Sequence, residues 1–109
     1  MSSESESGTL HTLVGHTELA WPASLGRLLA AGDSVLLMQE AVWLALAGVA
    51  VPPDRIGLPA GVEVCVLATD LDQRGLSART RHPGVRLIDD AGWVELSERH
   101  IRMLTWGGP

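Results

Sequence analysis

The chain has 109 residues, of which 46% are hydrophobic, and a formal net charge of −5. All eight cationic side chains are arginines, so no lysine is present for a phosphate-binding loop or a Schiff base. The acidic balance argues against a nucleic-acid surface, which needs clustered positive charge. The single cysteine, Cys65, excludes an internal disulfide.

Turn residues and apolar runs alternate along the chain and predict nine elements in the order βαβαβαβαβ. The strands are predicted at residues 9–14, 34–38, 62–68, 85–88 and 101–106, and the helices at 23–31, 40–47, 70–74 and 90–100. This order predicts a small three-layer α/β/α domain with a mostly parallel five-stranded sheet.

The ends of the chain and its longest apolar run bound the domain organisation. Residues 1–8 are rich in Ser and Glu and predict a disordered acidic tail, with a single domain over residues 9–109. The tail lacks the basic and apolar character of a signal peptide. The apolar run at residues 41–51 is shorter than the roughly 17–25 residues that span a bilayer. We therefore expect a cytoplasmic protein.

Acidic residues follow several predicted strands, at the edge where parallel α/β sheets bind ligands. They are Glu40, Asp70, Asp72, Asp89 and Asp90. Such an edge repels anionic ligands unless a divalent metal intervenes. The simplest interpretation is that these carboxylates cap the helices that follow, where negative charge is favourable.

The segment Asp70-Leu71-Asp72 allows a sharper alternative. It superficially resembles the Asp-x-Asp motif of haloacid-dehalogenase-type phosphatases, in which one carboxylate is the nucleophile and the other an acid/base. These enzymes also use a lysine, a further acidic pair and a longer chain. The absence of lysine makes this alternative remote.

Neither the cysteine nor the histidines predict a catalytic or metal site. Cys65 lies within a predicted apolar strand, where a cysteine usually acts as a small buried hydrophobe. A stand-alone thiol enzyme that uses Cys65 is kept as a remote alternative. The histidines at positions 11, 16, 82 and 100 lack metal-ligand spacing. We expect no catalytic residue, cofactor or metal in this chain.

The predicted helix at residues 40–47 is apolar almost all round after Glu40. A surface helix of a small domain normally has a polar face, and Trp43 is hard to bury beside Leu44 in so short a chain. Either long loops or another subunit must cover it. We favour a partner subunit, because an exposed apolar patch of this kind usually marks an interface.

Taken together, these segments resemble the TusB/DsrH family of sulfur-relay subunits over about residues 9–106. The matching segments, in order, are 10–13 (LHTL), 32–39 (GDSVLLMQ), 70–76 (DLDQRGL), 88–89 (ID), 93–97 (WVELS), His100 and Trp106. Each motif alone is weak, but the ordered set is specific.

The resemblance implies a DsrE-like fold and a cytoplasmic hetero-oligomer with TusC/DsrF-like and TusD/DsrE-like subunits, commonly two copies of each. In the Tus branch, the complex passes persulfide sulfur through a TusE-like carrier toward 2-thiouridine at the tRNA wobble position. In the alternative Dsr branch, a DsrEFH complex delivers sulfur to DsrC during sulfur oxidation. In both, the main sulfur-bearing cysteine lies on the TusD/DsrE-like subunit.

Three departures from the family pattern qualify the resemblance. Some DsrH-type members carry a cysteine in the first helix, where this chain has Leu25 or Gly26. The family's Gln-Asp-Gly is Gln39-Glu40-Ala41 here, and its Ile-Asp-Tyr is Ile88-Asp89-Asp90. Cys65 lies in a later strand and does not match the helix cysteine.

The sequence therefore predicts a non-catalytic subunit of a TusBCD-type relay, with the DsrEFH subunit as the alternative. We expect it to contact neither nucleic acid nor membrane directly. The predicted partner interface consists of Gln39, Glu40, Trp43, Leu44 and Trp106.

Overall fold

The computed structural model describes residues 8–15, 21–49 and 51–107, except for the side chain of Asp54. These residues form an all-parallel sheet of five strands with the order β4-β3-β2-β1-β5. The strands are β1 Thr9–Leu13, β2 Ser34–Leu37, β3 Glu63–Leu67, β4 Val85–Ile88 and β5 Arg102–Trp106. Each lies within one residue of its predicted bounds. Most of the predicted tail, and His16, lie outside the described residues.

The strand order explains the layers. From β1 to β4 the chain moves one strand at a time in one direction, and it then returns across the whole sheet to β5. Because parallel crossovers are right-handed, the first three connections lie on one face and the last on the other. The predicted α/β/α architecture with a parallel sheet is confirmed.

Each face of the sheet has its own apolar cluster. Strand residues such as Val35 and Val66 point to the larger cluster, with the connections that precede β4. Leu36 and Cys65 point to the smaller one, together with Leu96 of the last helix. Because the central strands are covered on both faces, they are almost continuously apolar.

The helices depart more from prediction than the strands. The structure has α1 at Leu25–Leu28, a 3₁₀ helix at Gln39–Ala45, a second 3₁₀ helix at Pro53–Arg55, α2 at Ala68–Gln73 and α3 at Asp90–Arg99. The expectation of a helix over residues 23–31 was too long, since Leu29 is already extended at φ −83° and ψ 142°. At Gly26 a Cβ would lie 3.0 Å from the carbonyl oxygen of Ile56, so a larger residue would force that loop to shift by a few tenths of an ångström.

The predicted helix at 40–47 is the 3₁₀ helix Gln39–Ala45, and its apolar character has a local explanation. The segment at residues 76–82 packs alongside it. The Ala47 amide donates to the Thr80 carbonyl, and the His82 amide to the Ala45 carbonyl, each at 2.9 Å. The chain itself therefore covers most of this helix, and the prediction that a partner subunit covers it is wrong for all but the exposed positions.

Candidate functional site

The turn between β2 and the 3₁₀ helix is held to both ends of α2 by charged hydrogen bonds, through Asp70 in its first turn and Arg74 at its C-cap. The backbone amide of Gln39 donates to Asp70 Oδ2 at 2.6 Å. Arg74 Nε donates to Glu40 Oε2 at 3.1 Å, and its Nη1 donates to the Asp70 carbonyl at 3.2 Å. These contacts fix the backbone of the turn and leave the side chains of Gln39 and Glu40 exposed at the carboxyl end of the sheet.

Gln39 has a left-handed backbone, with φ at 51°, and it is the only non-glycine residue with positive φ in the described part of the chain. A residue with a Cβ pays about 1–2 kcal/mol for this conformation. The bond to Asp70 compensates by satisfying the Gln39 amide. A strained residue held in place by charged neighbours is a common property of functional turns.

Trp43 and Leu44 have different environments although they are adjacent. Leu44 is completely buried in the larger apolar cluster and offers no surface to a partner. Trp43 is half-buried, and the guanidinium carbon of Arg79 lies 5.9 Å from the centre of its ring, a cation–π distance. Of these two predicted interface residues, only Trp43 has accessible surface.

Trp106 is the last residue of β5 and begins a series of buried hydrogen bonds between side chains, the Asp33–His11–Trp106 chain. Its indole Nε1 donates to Nδ1 of His11 at 3.1 Å, and the other ring nitrogen of His11 lies 3.1 Å from Asp33 Oδ2. Since an indole nitrogen only donates, Nδ1 of His11 must be the acceptor. His11 is therefore the neutral tautomer that carries its proton on Nε2 and donates it to Asp33.

Asp33, at the other end of this series of hydrogen bonds, accepts from several donors. It accepts from the amides of Thr9 at 2.9 Å and Ala30 at 3.1 Å, besides His11. Burial raises the pKa of Asp33, but these hydrogen bonds outweigh it and hold the pKa below the usual 3.8. Asp33 is therefore an anion that joins β1, β2 and the loop before β2.

Cys65 is fully buried on the sheet face that α3 covers. Glu63, two residues earlier on the same face, accepts from Arg86 Nη1 at 2.7 Å and Arg99 Nη2 at 3.2 Å. Burial, followed by the negative charge of Glu63, raises the pKa of the Cys65 thiol to about 12. The thiol is therefore protonated and inaccessible, the opposite of a reactive cysteine.

The strand-end carboxylates do not all cap helices as predicted. Asp89 does, because its Oδ1 accepts from the Gly92 amide at 2.8 Å at the start of α3. Asp70 lies within the first turn of α2 and binds the Gln39 amide instead. Asp90 accepts from the Thr69 hydroxyl at 3.1 Å. Neither of these last two side chains caps a helix, but both lie in the first turn of one, where the predicted favourable effect of negative charge applies.

The geometry of Asp70 and Asp72 does not favour the phosphatase alternative. Both belong to α2, and residues two apart on a helix do not share a face. Asp70 is bonded to Gln39, whereas Asp72 Oδ1 accepts from the Ser77 hydroxyl at 3.3 Å. The two carboxylates therefore do not converge on one substrate position.

Within residues 8–15, 21–49 and 51–107, no group of three or more His, Cys, Asp or Glu side chains is arranged to hold a metal ion. No helix in those ranges is long and apolar enough to cross a membrane.

Comparison with known proteins assigns the chain to a family. The family model described as "DsrH like protein" matches residues 20–103, which is most of the chain. The chain belongs to the DsrH-like family.

Several relatives of this chain carry the name Protein TusB. The chain is 36% identical over 97 residues to Protein TusB of Erwinia tasmaniensis, which covers 89% of the chain and 99% of the relative. Protein TusB of Serratia proteamaculans is 38% identical over 83% of the chain and 90% of its own length. The Escherichia coli protein is 34% identical over 89% of the chain and 99% of its own length. The predicted resemblance to TusB/DsrH proteins is confirmed.

A solved structure supports the fold independently. The crystal structure of the ychN protein from Escherichia coli superposes with a TM-score of 0.65, covering 92% of this chain and 99% of that one. Sequence identity is only 20%, so this likeness concerns the fold alone.

The structure brings some of the predicted interface residues together and separates others. Gln39, Glu40 and Trp43 belong to one 3₁₀ helix after β2 and are accessible. Trp106 also lies at the carboxyl end of its strand, on the same side of the sheet, but β1 separates that strand from β2. We define Gln39, Glu40 and Trp43 as the strand-end surface. Sequence reasoning missed the Asp33–His11–Trp106 chain and the bonds that hold the strand-end surface.

Proposed function

We propose that this chain is a non-catalytic subunit of a sulfur-relay complex that supplies sulfur for 2-thiouridine at the tRNA wobble position. Family membership at 34–38% identity to proteins named TusB supports the pathway. The state of Cys65 supports the non-catalytic role, because a buried thiol with a pKa of about 12 does not accept sulfur readily. The burial and raised pKa of Cys65 are the observation on which the proposed non-catalytic role rests.

The reactive cysteine then belongs to a neighbouring TusD/DsrE-like subunit, and this chain contributes binding surface. The strand-end surface is suited to this task because its backbone is fixed by Asp70 and Arg74 before any partner arrives. A pre-organised surface loses less conformational entropy on binding. TusC/DsrF-like and TusD/DsrE-like subunits are the proposed partners, with a TusE/DsrC-like carrier downstream and the cytoplasm as the location.

Deletion of the gene in its own host tests the pathway. We expect tRNA to lose 2-thiouridine, as measured by mass spectrometry of tRNA nucleosides, and expect the wild-type gene to restore it. The Cys65→Ser gene should restore it equally well. Unchanged thiouridine after deletion would contradict the tRNA role.

The DsrH-like description of the family model keeps the Dsr branch as the second candidate. There the complex delivers sulfur to a DsrC-like carrier during sulfur oxidation. Deletion would then leave tRNA thiolation intact and abolish growth on reduced sulfur compounds, so the same strain separates the two branches.

A Glu40→Arg variant tests the strand-end surface. We expect it to weaken co-purification with the partner subunits, because it reverses an exposed charge beside Gln39 and also removes the bond from Arg74 that holds the surface. Glu98→Arg, at an exposed position on α3, is the matched control and should co-purify normally. Equal co-purification of both variants would move the interface elsewhere.

A further inference from the structure

The edge strand β5 is the least covered strand of the sheet. Arg102, Met103, Leu104 and Thr105 are all exposed, and only Trp106 is half-buried. Met103 is 50% exposed and Leu104 44%, and these two side chains point to opposite faces of the sheet. Ile101, just before the strand, is 66% exposed. Apolar side chains are therefore accessible on both faces of one sheet edge.

Among the described residues, no strand pairs with the outer backbone of β5. The Trp106 carbonyl accepts from the Val14 amide at 3.1 Å, so the backbone groups of Trp106 point toward β1. Along a strand these groups alternate between the two sides. The amides and carbonyls of Met103 and Thr105 therefore point away from β1, to the side where β5 has no neighbouring strand among the described residues.

We propose that β5 pairs with β5 of a second copy of this chain, antiparallel and centred on Leu104. In this register Met103 of one copy lies opposite Thr105 of the other, and each such pair exchanges two backbone hydrogen bonds. These hydrogen bonds use the amides and carbonyls of Met103 and Thr105, which point away from β1 in each copy. The contact is isologous, as a two-fold axis requires.

The side chains match in the same register. Leu104 lies opposite Leu104, so two exposed apolar groups bury each other at the two-fold axis. Arg102 lies opposite Trp106 of the second copy, and a guanidinium over an indole ring is a favourable cation–π pair. Moving the register by two residues, so that Met103 lies opposite Met103, would instead place Leu104 opposite Arg102.

Charge favours a second copy as the occupant although the whole chain is acidic. Arg102 is the only charged residue within β5, and no carboxylate occurs in residues 99–107. Within the paired strands, therefore, no acidic groups meet and no like charges lie opposite each other. A contact of five residues a side is smaller than the roughly 800 Å² per partner of a standard interface. The expected dimer of the isolated chain is thus weak and concentration-dependent, and it does not depend on the sulfur-relay proposal.

Charge exchange at position 104 tests the register. Sedimentation velocity of the full chain should show a monomer–dimer equilibrium, and Leu104→Lys or Leu104→Glu alone should weaken it on the order of tenfold or more. An equimolar mixture of the two variants should recover dimerisation, because Lys then faces Glu. Leu28→Lys, at another exposed leucine, is the control and should dimerise like the wild type.

Cross-linking provides a second test that tolerates weak association. Directly opposed residues of a non-hydrogen-bonded antiparallel pair have Cα atoms about 4.5 Å apart, within the range of a disulfide. Leu104→Cys should therefore form a disulfide-linked dimer with a mild oxidant. Met103→Cys is the control, since two copies of position 103 lie diagonally about 7–8 Å apart, beyond that range. The wild type, with Cys65 buried, should not cross-link.

Three results would overturn the proposal. The wild-type chain could sediment as a monomer up to millimolar concentration. The mixture of charge variants could fail to dimerise although circular dichroism shows both to be folded. Met103→Cys could cross-link as efficiently as Leu104→Cys, which would indicate a different register or an unspecific contact.

Discussion

The interior of the sheet and the turn after β2 use polar groups in opposite ways. In the interior, Asp33 is satisfied by three donors and Cys65 is held as a neutral thiol. At the turn, Gln39 adopts a left-handed conformation and its side chain stays exposed. The Cys65 thiol is buried and protonated, whereas the strained backbone of Gln39 lies at the surface. This difference supports the proposal that the chain acts by contact and that a neighbouring subunit carries the reactive cysteine.

The largest expected effect concerns the interior. Asp33→Ala leaves the amides of Thr9 and Ala30 and the ring of His11 without an acceptor, and buried unsatisfied donors are costly. We expect the free energy of unfolding to fall by about 3 kcal/mol. Urea denaturation followed by tryptophan fluorescence measures it.

Glu98→Ala provides the matched control for that experiment, since Glu98 is exposed on α3, and it should change stability by less than about 0.5 kcal/mol. A loss of equal size in both variants would mean that the Asp33–His11–Trp106 chain has no special role in stability.

Substitution at the turn after β2 should raise the free energy of unfolding instead of lowering it. Gln39→Gly removes the side chain from a left-handed position and should stabilise the chain by about 1 kcal/mol, while partner binding weakens because the surface has lost a contact. Thermal unfolding and co-purification with the partner subunits measure the two effects. Gln73→Gly, at the last residue of α2, is the control and should destabilise the chain without affecting binding. Unchanged binding by Gln39→Gly would remove Gln39 from the interface.

The smallest expected effect is a pH dependence. The pKa of Asp33 is lowered in the folded chain, so its stabilising contribution is complete above the unfolded value of 3.8 and is lost as the pH falls through the lower folded pKa. Stability measured between about pH 5 and pH 2 should therefore fall less in Asp33→Asn than in the wild type. Glu63, whose pKa is also lowered, keeps part of the acid sensitivity in both. Identical slopes would contradict an ionised, hydrogen-bonded Asp33.

The sequence was sufficient for the strands because short apolar runs bounded by glycine and acidic residues mark buried parallel strands clearly. It was less informative for the helices. The 3₁₀ helix Gln39–Ala45 looks like an unpartnered apolar helix until the segment at residues 76–82 is placed against it, and no local pattern encodes that contact. Leu44 was therefore predicted at the interface and is in fact buried.

The polar interior was missed for a related reason. His11 is bonded to Asp33, 22 residues away, and to Trp106, 95 residues away, so its partners become visible only when β1 lies between β2 and β5. Gln39 and Glu40 were predicted at the interface because they follow a strand directly, and that prediction remains to be tested. Their bonds to Asp70 and Arg74, more than 30 residues away, depend on the pairing of β2 with β3.

Sulfur transfer through the reconstituted complex tests the central claim most directly. The wild-type chain or Cys65→Ser would be assembled with its partner subunits, supplied with persulfide sulfur, and each subunit weighed by mass spectrometry during turnover. We predict that both complexes transfer sulfur to the carrier at the same rate and that this chain never gains the mass of a sulfur atom. Loss of transfer in a correctly assembled Cys65→Ser complex, or a persulfide on Cys65, would contradict a subunit that acts by contact alone.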